Sequence, residues 1–208
     1  MKVEGISARR VVSCKIRQGP GEVARPVFPA DARIRIRAAM KTVILVRHAK
    51  SSWKDSGLKD FDRPLNKRGK RDAPFMGKKI RERNILPDLI LSSPAKRSRK
   101  TAIRIAEEIG YPKEKIQYDD KMYHSDSLYL LELVRTQDDE HETIMLFGHN
   151  PDFSDFADML LEHNPSYMIP TTGVHCIRFA VDRWGEIQEG EGESVFLDYP
   201  KRYGDDRS

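Results

Sequence analysis

A chain of 208 residues, 38% hydrophobic and 33% charged, has the length of one ordinary domain with room for an appendage. Its net charge of +5 is unevenly spread: residues 1–40 carry nine Lys/Arg against Glu4, Glu22 and Asp31, and the remainder holds 28 basic and 29 acidic side chains. The basic character thus belongs to the N-terminal segment and argues against nucleic acid as a partner of the main domain, while no apolar run approaches membrane-spanning length.

Residues 1–39 mix Arg with Gly and Pro and show no sustained hydrophobic period. Three readings stand for them: a poorly ordered tail, an organelle-targeting peptide (Arg-rich and acid-poor, yet serine-poor and broken by prolines), or a stretch upstream of the functional start at Met40. Met40 lies one residue before the first strand pattern, which favours the last. No secretory signal is visible, and neither Cys14 nor Cys176 has a CxxC partner. The chain therefore reads as cytoplasmic with thiols that have no assigned role, organellar delivery through residues 1–39 being the alternative.

From Lys41 strands and helices alternate. Thr42-Val43-Ile44-Leu45-Val46 predicts a strand over 42–47, followed by a polar loop containing Trp53 and Asp60-Phe61-Asp62-Arg63-Pro64. Asn66 is a candidate N-cap for a helix over about 67–83, in which Pro74 and Gly77 predict a kink or break near residue 73. A strand over 88–92 precedes a helix over about 95–109, with Ala102, Ile103, Ala106 and Ile109 on one face and Gly110 as its C-cap. A short strand at 116–118, a helix at 126–136, a strand at 143–148 and a helix at 152–162 follow. Antiparallel strands at about 174–181 and 193–198 close the domain, which is expected to span residues 40–201 with a tail at 202–208. This alternation predicts a three-layer α/β/α sandwich with a mostly parallel central sheet and antiparallel strands at its C-terminal end.

Three short segments each end a strand: Arg47-His48, Ser92-Ser93-Pro94-Ala95-Lys96-Arg97 and Gly148-His149-Asn150-Pro151. In a parallel sheet these carboxyl ends converge where open α/β folds place their ligands. Two imidazoles and two guanidiniums meeting there form a cationic cup suited to a phosphoryl group. Either histidine alone is more often a polar residue at a strand end than a catalyst; the three segments in this order are much harder to obtain by chance.

Val46-Arg47-His48-Ala49-Lys50-Ser51-Ser52-Trp53, then Ser92 through Ala102, then Gly148-His149-Asn150-Pro151 resemble the histidine phosphatase superfamily, specifically its small phosphohistidine phosphatases of the SixA type. Leu65-Asn66-Lys67-Arg68-Gly69 resembles the family segment that opens the first helix, and the likeness extends from residue 41 to about 201. It implies a phosphoglycerate mutase-like fold. His48 would be the phosphorylated nucleophile, and Arg47, Arg97 and His149 the phosphate pocket, with no metal and no cofactor. Larger members supply a glutamate as proton donor; here Tyr123-His124-Ser125-Asp126 occupies about that place without a clear match. A phosphohistidine leaves as a far weaker base than an alkoxide, so lacking that acid suits a phosphoramidate substrate. Asp126 and His124 stand as candidate acids, with helix capping the favoured role for Asp126.

The partner expected is a phosphorylated protein or a small phosphorylated substrate, with no nucleic acid and no membrane. A small-metabolite phosphomonoesterase and a catalytically silent phosphate-binding module are the alternatives. Ser51 either donates to phosphate or serves a loop. Lys96, Arg97, Arg99, Lys100 and Arg104 read mainly as a solvated helix face able to steer an acidic partner. His124, His141, His163 and His175 lack metal-ligand spacing, and Trp53 and Trp184 read as packing residues. Removal of residues 1–39 is expected to leave stability and turnover nearly unchanged, since the segment has no apolar face with which to join a core. Loss of the urea transition or of activity at moderate salt in the truncated protein would show that it belongs to the domain.

Overall fold

The computed structural model describes residues 40–161 and 168–204. Strand β1 (Lys41–Arg47) has Val43, Ile44, Leu45 and Val46 all fully buried, so both of its faces are covered. An unbroken β-branched and leucine run marks such a strand in the middle of a sheet. It is followed by α1 (Lys67–Glu82), β2 (Leu89–Ser92), α2 (Lys96–Ile109), β3 (Gln117–Tyr118), α3 (Ser127–Arg135), β4 (Thr143–Gly148), α4 (Asp152–Leu160), β5 (Val174–Phe179) and β6 (Glu193–Asp198).

The six strands form one sheet in the order β3-β2-β4-β1-β5-β6. The first four run parallel; β5 and β6 are antiparallel additions at one edge. Alternate residues of β1 and β4 face opposite layers. Val43, Leu45, Ile144 and Leu146 pack with Leu130, Leu131 and Val134 of α3 and Phe153, Phe156 and Leu160 of α4. Ile44, Val46, Met145 and Phe147 pack with Met76 and Ile80 of α1 and Ala102, Ile105 and Ala106 of α2. The sandwich expected from the sequence is the fold observed.

Two expectations about the helices need correction. Helix α1 is continuous from Lys67 to Glu82, without a break at Pro74. A proline removes one helical hydrogen bond, but Ala73, Met76 and Ile80 are buried on both sides of it and hold the two halves in one line. Gly77 belongs to the same packing: a Cβ there would lie 2.7 Å from Glu108 Cβ and 3.2 Å from Ile105 Cα, so only glycine permits this approach of α1 to α2. On α2 the buried face includes Ile105, while Ile103 is only partly covered.

The helix ends follow local chemistry. Asn66 Oδ1 accepts from Gly69 N–H at 2.9 Å, Asp126 Oδ1 accepts from Tyr129 N–H at 2.8 Å, and Gly110 ends α2 at φ 75°. Cys176 is buried in β5, and that burial raises its thiol to about 11, which leaves it inert at neutral pH. Trp184 is fully buried and donates Nε1–H to His141 O at 2.9 Å, as a packing residue should; Trp53 is not one, being 72% exposed. His175 pairs with Ser194 Oγ at 2.8 Å, and Cys14 and His163 lie outside the described residues. No described helix is long and apolar enough to cross a membrane.

Candidate active site

Parallel pairing brings three strand ends together. Arg47 of β1 lies opposite Gly148 of β4, and Ser92 of β2 opposite Phe147. The ladder continues one residue further on each side: His48 N–H donates to Gly148 O at 3.0 Å, and Ser93 N–H to Phe147 O at 2.9 Å. Gly148 is required where β4 turns, because a Cβ there would lie 2.3 Å from the Phe153 ring. His48 and His149 are thus delivered side by side, their ring centroids 5.1 Å apart. The Asn150–Pro151 peptide that leads into α4 is cis.

His48 Nδ1 lies 2.8 Å from Ala49 O. A carbonyl only accepts, so Nδ1 carries the proton and Nε2 the lone pair. Burial, helped by the charges of Arg97, Arg47 and Arg63 and opposed by the Ala49 hydrogen bond, lowers this imidazole to about 4, so it is neutral at pH 7. Arg97, in the first turn of α2 and buried, donates Nε–H to His48 Nε2 at 3.3 Å. Its two Nη groups reach Asp60, one the backbone oxygen at 2.6 Å and the other Oδ2 at 2.8 Å.

Arg47 Nη1–H donates to Ile169 O at 2.8 Å. His149 shares a 2.9 Å hydrogen bond between Nε2 and Ser93 Oγ; burial, with His48 and Arg97 nearby, lowers it to about 3. Arg47 Nε and His149 Nδ1 are both buried without a hydrogen-bond partner among the described residues. A buried polar group left unpaired costs about 1–3 kcal/mol, and both of these residues line one cavity. That cavity has a volume of about 310 Å³ and is lined by Arg47, His48, Ser51, Asp60, Arg63, Arg97 and His149 among others. Its donors and cations match the oxygens of a tetrahedral oxyanion.

The four residues singled out from sequence, Arg47, His48, Arg97 and His149, therefore meet at one site. Ser51 lines it too, with its hydroxyl oxygen accepting from Arg63 Nη2. The candidate acids do not reach it: Asp126 is exposed and caps α3, and His124 is exposed with its ring against Tyr123 at 4.1 Å. Sequence reasoning passed over Asp60, Arg63, Ser93 and Tyr123. Asp60 gathers Arg97, Arg63 (2.5 Å) and the Tyr123 hydroxyl (2.8 Å). Burial would raise this carboxyl, but Tyr123, Arg63 and Arg97 hold it at about 2. The guanidinium of Arg63 also stacks on Trp53, 3.2 Å from the ring centroid, which seats the exposed indole at the cavity. The one signal for this group was the Asp60-Phe61-Asp62-Arg63 run, four residues dense in charge just before the Asn66 cap. Among the described residues no group of three or more His, Cys, Asp or Glu is placed to hold a metal ion.

Residues 43–123 match the family described as the histidine phosphatase superfamily (branch 1). An uncharacterised chloroplastic protein of Arabidopsis thaliana is 34% identical over 134 residues, which cover 58% of this chain and 59% of that protein. An uncharacterised protein of Mycobacterium tuberculosis is 29% identical over 165 residues, 75% of this chain and the whole of that one. The crystal structure of the putative phosphohistidine phosphatase SixA from Agrobacterium tumefaciens superposes with a TM-score of 0.66 at 29% identity, covering 77% of this chain and 98% of that one.

Buried and half-buried histidines make stability pH-dependent. His48 and His175 titrate at about 4 and His149 at about 3 in the folded protein, against roughly 6.5 when unfolded. Between those values the unfolded chain binds more protons, so their contribution is present above pH 6.5 and is lost as the pH falls towards 4. Asp60, low in the folded state, adds to the loss only below about pH 4. The urea midpoint should therefore be lower at pH 5 than at pH 7.5, by less in a His48→Gln/His149→Gln variant. Equal midpoints for the wild type would contradict neutral buried imidazoles.

Proposed function

We propose that this chain, whose residues 43–123 match the histidine phosphatase superfamily (branch 1), is a phosphatase of that superfamily that hydrolyses phosphohistidine in proteins through a phosphoenzyme on His48. The observation that carries this reading is the neutral His48 ring. Its Nδ1–H is tied to Ala49 O, its Nε2 accepts from Arg97 Nε–H, and the residue lines one cavity with Arg47, Arg97 and His149. In the first step Nε2 gives up the hydrogen bond from Arg97 Nε–H and forms a bond to phosphorus as the bond from phosphorus to the leaving nitrogen breaks. Arg47, Arg97 and His149 stabilise the equatorial oxygens, and Ser51 lies within the same cavity as a further donor. Water then attacks the phosphoimidazole, releasing inorganic phosphate and restoring the neutral ring.

The choice of a phosphoramidate rests on protons. The carboxylate at the cavity, Asp60, is ionised at neutral pH and engaged by two guanidiniums, and Asp126 is engaged as a helix cap. Neither is set up as an acid for an alkoxide, whereas an imidazole leaves with far less need of one. A cavity of about 310 Å³ also accommodates a small phosphomonoester, which supports the second reading, a metabolite phosphatase. The kcat/KM ratio for a phosphohistidine protein over a phosphomonoester panel decides between them; absence of turnover on both would favour a binding module. A cytoplasmic location belongs to the same proposal, with organellar delivery as the variant that the chloroplastic relative favours. No step is routed through a metal ion.

His48→Ala should abolish turnover while leaving the urea transition in place. Acid-labile, base-stable phosphate should be trapped on the wild type and absent from the variant, and full activity in the variant would sink the covalent route. Arg97→Ala should cost roughly 2–4 kcal/mol of transition-state stabilisation, the value of one oxyanion-type donor. Arg99→Ala should cost little, because Arg99 is exposed and lies over the Tyr118 ring at 5.1 Å. Steady-state kcat/KM of the two variants gives the comparison.

A further inference from the structure

Helices α1 and α2 leave between them a groove of about 600 Å³. Pro64, Leu65 and Pro74 give it an apolar floor, and Lys70, Lys96, Lys100 and Arg104 line its sides. Lys96, Lys100 and Arg104 recur every four residues and so share one face of α2. Lys96 directly precedes Arg97, so the cationic band begins one residue along α2 from a residue that lines the phosphate cavity. On the α1 side the Asn66 N–H donates to Lys50 O at 2.9 Å, tying the start of that helix to the loop after His48, and Lys50 lines the phosphate cavity itself.

This arrangement costs the fold free energy. Lys96 is the first residue of α2 and the first turn holds no acidic side chain, so cations stand at the positive end of the helix dipole. Lys96 and Lys100 are also a like-charged pair one turn apart. Arg104 is neutralised by Glu107 at 3.0 Å, but among the described residues no carboxylate pairs with Lys70, Lys96 or Lys100. A partner bearing negative charge would relieve all three effects at once.

We infer that the groove between α1 and α2 docks an acidic protein surface that carries the phosphorylated residue. The inference rests on the phosphohistidine-protein reading and adds the chemistry of the partner: carboxylates flanking the phosphorylated side chain, with apolar side chains for the Pro64-Leu65-Pro74 floor. A nucleic-acid backbone fits less well, because Glu107 and Glu108 line the same groove and an unbroken polyanion would meet them. Charge of this kind acts on encounter over distances comparable with the screening length, about 8–10 Å at physiological salt.

The test uses the full chain and synthetic peptides of equal length, each with one phosphohistidine flanked by Glu or by Ser, together with the same pair carrying phosphoserine. At low salt kcat/KM for the acidic peptide should exceed that for the neutral one by about 10-fold, the lower end of electrostatic steering. The ratio should fall towards one at high salt and in a Lys96→Glu/Lys100→Glu variant, whose kcat on the neutral peptide is unchanged. Equal kcat/KM in the wild type, or a preference that survives the double variant, overturns the inference. If phosphoserine alone is turned over, the phosphohistidine reading fails while the docking surface is judged by its own ratio on those peptides. If neither is turned over, that ratio is read as binding by fluorescence anisotropy. Stronger inhibition by a dT oligonucleotide than by polyglutamate of equal charge overturns it in favour of nucleic acid.

Discussion

The parallel register of β1 on β4 positions everything else at the site. Arg47 opposite Gly148, prolonged by the hydrogen bond from His48 N–H to Gly148 O, fixes two imidazoles in adjacent places at one edge of the sheet. A slip of one residue would turn every side chain of β1 to the other layer. The two layers differ: Val43 and Leu45 pack with α3 and α4, Ile44 and Val46 with α1 and α2. Core packing thus enforces the register, and the register places the chemistry.

A cavity that gathers Arg47, Arg63 and Arg97 around two neutral histidines must also be stable when no anion is bound. Buried cations lose hydration, and an unpaired one costs several kcal/mol. Asp60 offsets part of this by accepting from Arg97 through both its backbone and its carboxylate and from Arg63 through the other oxygen. The same contacts hold the Arg97 fork rigid against His48. The Tyr123 hydroxyl completes the cluster, so the turn ahead of α3 and the loop ahead of α1 are joined at the cavity mouth.

The balance between neutral imidazole and ionised carboxylate follows from different environments a few ångströms apart. His48 is half-buried among positive charges, and every one of those charges disfavours a proton on it. Asp60 sits at the rim, close to the same guanidiniums, and they stabilise its charge. One set of cations therefore keeps a base unprotonated and a carboxylate ionised together. Such paired displacement of neighbouring pKa values is a feature of functional sites.

The strand ends were legible in the chain itself, because apolar runs such as Thr42–Val46 and Thr143–Phe147 are buried on both sides and announce their own boundaries. Local caps at Asn66, Asp126 and Gly110 were legible for the same reason: their chemistry spans three or four residues. The sequence thereby determined the α/β alternation, the three motifs and their meeting at one sheet edge. Only the tertiary structure decided what long-range contact controls. The continuity of α1 through Pro74 depends on packing against α2 around Gly77. Trp53 lies exposed over Arg63, contrary to its reading as a packing residue, because the guanidinium rather than the core takes one ring face. The Asp60 cluster joins residues 37 and 63 positions apart, and no local propensity encodes a contact whose partners are brought together by the sheet.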